Sequence, residues 1–170
     1  MGNHKGMRCI SILPGCAILF ALACTSKVPQ ISEGELAEIK ASNPGMTDSC
    51  LDKLRWAGFG AMPRTADQCY EMGPRQRYSG LWRREFENSR FCAAPASTCR
   101  EDTSAASIWL EFSDGAGRKA PDHSDGLYDI DFVGRQTAMK GRHGHLGMFD
   151  HEIVVERLTK IEKRKEPPPG

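Results

Sequence analysis

Between Tyr78 and Ile161 the chain alternates apolar and polar residues in five short runs, and nothing else narrows its fold as far. Period-two alternation places every second side chain on one face, as in a strand with one buried side. In the first run, residues 78–86, Tyr78, Gly80 and Trp82 alternate with Arg77, Ser79 and Arg83. Residues 89–92 form a second, short run after a turn at Glu87-Asn88. Ile108, Leu110 and Phe112 share a face in the third, residues 107–112. Tyr128, Ile130 and Phe132 do so in the fourth, residues 127–133, opposed by Asp129 and Asp131. The fifth, residues 152–161, alternates Ile153 and Val155 with Val154 and Glu156. Helical spacing also fits residues 152–165, but the β-branched Val154-Val155 pair favours a strand. The expectation is a mainly β fold over residues 76–163, a small five-stranded antiparallel barrel that an OB-like arrangement would satisfy. A sandwich fragment is the alternative.

The segment before it, residues 35–75, reads as small, helical and irregular. Residues 35–42 allow two helical turns, closed by Asn43-Pro44-Gly45. Thr47 or Asp48 caps a second helix through Cys50, Leu51 and Leu54, and the Gly/Pro-rich residues 58–63 stop it. Thr65 starts a further capped turn. Residues 24–34 read as a tether, and residues 164–170 as an exposed tail ending in Pro167-Pro168-Pro169-Gly170.

The first twenty-three residues read as a leader. Lys5 and Arg8 give a positive start, a charge-free run follows, and Ala21-Leu22-Ala23 closes it. The run is too short, and too broken by Pro14 and Gly15, for a membrane span of about 20 residues. Ala21-Leu22-Ala23-Cys24 resembles a bacterial lipobox, in which the cysteine becomes the lipidated first residue. Of seven cysteines, Cys9 and Cys16 leave with the leader, so five remain. With lipid on Cys24 the other four can form two disulfides, and pairing within each sub-region predicts Cys50–Cys69 and Cys92–Cys99. Plain secretion with a stray thiol is the alternative.

Charge restricts the partners. Once Lys5 and Arg8 are removed, 21 basic residues face 22 acidic ones. A near-neutral chain lacks the net basic footprint of a dedicated nucleic-acid binder. Residues carrying a nucleophile elbow, a Ser-x-x-Lys pair, a phosphate-binding loop or a dinucleotide fingerprint are missing, and no motif calls for a cofactor. His143 and His145, in a loop punctuated by Gly141, Gly144 and Gly147, are candidates for a metal, with Asp150 and Glu152 as further oxygens. The alternative is a turn that His145 stabilises by hydrogen bonding while His143 matters little. The acidic run around Asp122 and Asp125 fails the spacing of a calcium loop. Arg77, Trp82 and Arg84 belong to a locally basic, aromatic stretch that could bind an anionic ligand, unless Trp82 faces the core.

Gly80-x-Trp82, Phe86-Glu87-x-Ser89-x-Phe91, Asp131-Phe132-x-Gly134-Arg135, Gly144-His145-Leu146-Gly147 and Glu152-Ile153-x-Val155 together resemble small exported bacterial β domains that are uncharacterised. The resemblance covers about half the chain and implies a compact β domain, with no activity and no catalytic residue. The functional expectation is a non-enzymatic exported envelope protein, lipid-anchored at Cys24, with a structural or binding role toward an unknown envelope protein or ligand. It would lie in the outer membrane where the host has one, and otherwise be periplasmic or secreted. A metal-binding or hydrolytic protein using His143 and His145, and an anion-binding module using the Arg/Trp stretch, are the alternatives.

Overall fold

The structure, a computed structural model, describes residues 29–100, 107–117 and 124–165. Two short helices come first. Ser32 caps α1 (Glu33–Ser42): its hydroxyl accepts from the Glu35 amide, and the Glu35 carboxylate accepts from the Ser32 amide at 2.9 Å. This reciprocal box satisfies two amides that a helix start leaves open. Thr47 caps α2 (Asp48–Ala57) by accepting from the Cys50 amide, and Gly58, at φ +69°, ends it. Leu36, Met46, Cys50, Leu54 and Cys69 bury one another between the helices, and the Cys50–Cys69 disulfide ties α2 to the 3-10 turn Ala66–Gln68. Ile31 is buried in the same cluster, and the Gln30 and Ile31 amides both donate to the Arg55 carbonyl. Residues 30–34 are therefore part of the fold and not of a tether, because Ile31 finds apolar cover and Ser32 serves as a cap.

Five strands follow: β1 (Gln76–Glu85), β2 (Asn88–Ala93), β3 (Ile108–Phe112), β4 (Gly126–Gln136) and β5 (His151–Lys163). They close a barrel in the order β1-β2-β3-β5-β4, the connectivity of an OB-type barrel. Four seams are antiparallel. The fifth, β3 against β5, is parallel, with Ile108 opposite His151 and Phe112 opposite Val155. The sheet is thus mixed where alternation alone predicted antiparallel pairing. Alternation fixes which side chains point inward, but strand direction depends on how β4 carries the chain across the barrel. A short helix, α3 (Asp114–Gly117), follows β3 and plugs the core with Ala116.

Outside the short second run, the inward set is the one the alternation marks. Trp82, Phe91, Leu110, Tyr128, Phe132 and Ile153 fill the barrel. Trp82 Nε1 donates to Ser89 Oγ at 3.0 Å, which satisfies its polar atom inside. A Cβ on Gly80 would strike the Cys92 carbonyl oxygen, so glycine lets β1 and β2 close up there. On the outside, Cys92–Cys99 packs with Leu81 and Leu127.

The N-terminal segment lies against the outer face of β4 and β5. Arg135 on β4 joins Glu156 on β5 (2.6 Å) to Asp67 (3.2 Å), and Arg75 adds a second cation to Glu156 at 2.5 Å. Backbone bonds reinforce this, from Gly73 to Gln136 and from Ala138 to Glu71. Among the described residues no helix is long and apolar enough to cross a membrane.

Candidate functional site

The site is built on the outer side of β3. With Ile108 and Leu110 turned inward, strand parity puts Trp109 and Glu111 outside. The loop between β4 and β5, residues 137–150, folds back over Trp109. Its closest approach is at Gly144, where φ is +65° and a Cβ would lie 2.7 Å from the Trp109 ring. Only glycine meets both demands. His143 and Phe149 exchange backbone hydrogen bonds of 2.9 and 3.1 Å and so zip the loop's base. Phe149 then packs edge-on to Trp109 at 5.1 Å. At the far side the β1–β2 turn brings Glu87, at φ +57°, to within 3.3 Å of His145 Nε2.

Two adjoining cavities result. The larger, about 740 Å³, lies between the N-terminal segment and the loop, with Tyr70, His143 and Glu152 at its base. The smaller, about 590 Å³, lies toward the β1–β2 turn and α3. Arg64, Trp109 and Glu111 line both, so they form one trough across β3. In OB-type barrels the β2–β3 face, flanked by the β1–β2 and β4–β5 loops, is the ligand-binding side.

Glu152 dominates the electrostatics. It is 8% exposed, and its Oε1 accepts from the Ala66 amide at 2.9 Å. Burial pushes its carboxyl up to about 7, the charges of Glu111 and Asp67 push the same way, and backbone amides of Ala66 and Gly144 pull back. One side chain thereby joins the N-terminal segment to the β4–β5 loop. Tyr70 donates to Asn43 Oδ1 at 3.2 Å and is raised by burial, then by the charge of Glu152. His143 is lowered by burial, only partly offset by a hydrogen bond to the Met139 carbonyl, so it is neutral in ordinary conditions. Its ring packs edge-on to Tyr70 at 4.8 Å, and among the described residues its Nε2 has no partner.

The two loop histidines exchange the roles that the sequence predicts for them. His143 is 3% exposed and anchors the loop, whereas His145 lies at the rim. Alternation puts two residues of an extended loop on one side, but the positive φ at Gly144, between them, turns His145 away from His143. Among the described residues no three His, Cys, Asp or Glu side chains gather to hold a metal ion. Arg77, Trp82 and Arg84 do not form one face either. Trp82 is in the core, Arg77 is on the opposite, exposed side of β1, and Arg84 shares Trp82's parity at the lip of the smaller cavity, 5.9 Å from its ring. Cys24, the leader and Asp122 lie outside the described residues.

Sequence reasoning passed over Tyr70, Trp109 and Glu111. Trp109 carried a usable signal, being a large aromatic at a position that alternation assigns to the wet face. Phe59 and Met62, 66% and 38% exposed in a loop read only as a helix stop, carried another. No family model, curated protein or solved structure matches this chain, so what the trough can do is read from its own residues.

Proposed function

We propose that the chain is a non-enzymatic exported protein of the cell envelope, lipid-anchored through Cys24, with the trough on β3 as its binding surface. The carrying observation is the cysteine pairing. Cys50 with Cys69 and Cys92 with Cys99 use every cysteine after Cys24, so the unpaired one falls at the lipidation position. Two buried disulfides suit an oxidising compartment, and the leader supplies the route to it. A binding role fits the trough better than catalysis does. Glu152 has a pKa suited to proton transfer near neutrality, yet it is committed to two backbone amides and shielded from solvent.

The test is fractionation of the full chain in a bacterial host. The wild type should partition with membranes and carry the added mass of a lipidated Cys24, and Cys24→Ser should be released. Unchanged fractionation of Cys24→Ser removes the anchor. In a host with an outer membrane, Thr25 after the lipidated cysteine directs the protein outward, since it is not the aspartate associated with retention.

A further inference from the structure

Cys24 stands six residues before Gln30, which is already fixed in the fold. Six extended residues reach at most about 20 Å. Lipid on Cys24 therefore keeps Gln30 close to the bilayer. The Gln30 amide bonds to the Arg55 carbonyl at 2.8 Å, and its side chain lies against Gly58. Immediately after Gly58 comes the 3-10 turn Phe59–Ala61, with Phe59 66% exposed and Met62 38% exposed. The β4–β5 loop brings Leu146, 74% exposed, to the same cavity. Leu146 is held at φ +53°, a left-handed conformation that leucine adopts only at a cost. The fold gains no burial from that cost. Exposed Arg64 and Arg142 line the same opening.

Scattered apolar side chains on a surface need no explanation. Three around one opening, beside the point where the tether enters, do. Apolar tips flanked by cations match an interfacial contact, in which the tips enter the acyl boundary and the cations meet anionic headgroups. We infer that Phe59, Met62 and Leu146 form a lipid-docking face that seats the domain on the bilayer holding Cys24. The inference rests on the anchored reading above, and it adds an orientation: the larger cavity opens onto the headgroups.

The test compares lipidated protein, reconstituted in vesicles of phosphatidylethanolamine and phosphatidylglycerol, with the Cys24→Ser chain in solution. Hydrogen exchange is read at the amides of residues 58–63 and 142–148. These should slow about tenfold on the vesicles, while the loop 94–98, which lines neither cavity, should not change. Phe59→Glu and Leu146→Glu, separately and together, should abolish the slowing and leave membrane fractionation intact. Both positions are exposed, so the variants keep the fold. Equal exchange in the two preparations, with the wild type still membrane-bound, overturns the docking face and leaves the anchor standing. A wild type that does not fractionate with membranes removes both. Slowing that appears in the Cys24→Ser chain without vesicles and grows with its concentration assigns the face to a second copy, and also overturns the inference.

Discussion

Glu152→Gln should reverse the sign of the stability difference between variant and wild type as pH rises. An unfolded chain ionises this carboxyl at its ordinary 4.5, whereas the folded chain does so at about 7. The folded state therefore favours the protonated acid. Its contribution is fully present below pH 4.5, falls through the window between 4.5 and 7, and is gone above it. The gap between the two values corresponds to about 3 kcal/mol. Glutamine has no such titration. It keeps one carbonyl oxygen for the Ala66 or Gly144 amide and leaves the other amide poorly satisfied, at a cost of about 1 kcal/mol. At pH 4 the wild type should be the more stable by about 1 kcal/mol, and at pH 8 the variant by about 2 kcal/mol.

The assay is urea unfolding of the oxidised Cys24→Ser chain, with and without Glu152→Gln, from pH 4 to pH 8. The difference between the curves matters, not either curve alone. His143 works in the opposite direction: burial lowers its pKa, so the stability it gives is present above 6.5 and lost as pH falls. Because both chains carry His143, that contribution cancels in the difference. The charges of Glu111 and Asp67 and the neighbouring Tyr70 act on Glu152 itself, so their coupling to it belongs to the difference being measured. A difference that stays constant across the range refutes the reasoning, since the carboxyl would then be as well solvated in the folded chain as in the unfolded one.

Other substitutions separate the struts of the site from its rim. His143→Ala should cost about 2 kcal/mol in the same urea assay through the lost ring contact and hydrogen bond, whereas His145→Ala should change stability by less than about 0.5 kcal/mol, because its contact with Glu87 lies at the solvent-facing rim. Gly144→Ala places a methyl against Trp109 in a left-handed conformation; an unfolding free energy lowered by at least about 2 kcal/mol is expected, together with a shifted Trp109 emission. Replacing Cys50 and Cys69 together by Ser should cost about 3 kcal/mol and replacing Cys92 and Cys99 about 2.5 kcal/mol, as loop closure predicts; peptide mapping that finds free thiols at these positions in the exported wild type would contradict the pairing.

Much of the barrel was legible because burial on one face imprints a period of two. Trp82, Leu110, Tyr128, Phe132 and Ile153 all point where alternation puts them. The caps at Thr47 and the stop at Gly58 were legible for a related reason, since a helix end needs particular side chains or angles whatever it packs against. Strand direction was not. Parallel pairing of β3 with β5 leaves no mark on either strand, because both bury one face in either orientation.

The site was less legible than the barrel, and Glu152 shows why. As a carboxylate at the start of a strand it looks solvated, and in sequence it is 86 residues from the amide it accepts from. Its burial comes from the N-terminal segment docking over β5, a placement governed by Arg135, Glu156 and Asp67 on three separate elements. Periodicity sees one element at a time. It therefore finds the residues that each strand buries for itself and misses those buried by a neighbour. His143 and His145 differ by the same rule. Both are polar residues of one glycine loop, and only the three-dimensional position of Tyr70 makes His143 the strut and leaves His145 at the rim. A trough assembled from β3, the β4–β5 loop and the N-terminal segment is thus legible in sequence only through its misfits: an aromatic on the wet face at Trp109, and a Phe and a Met spent on an exposed turn beside the tether.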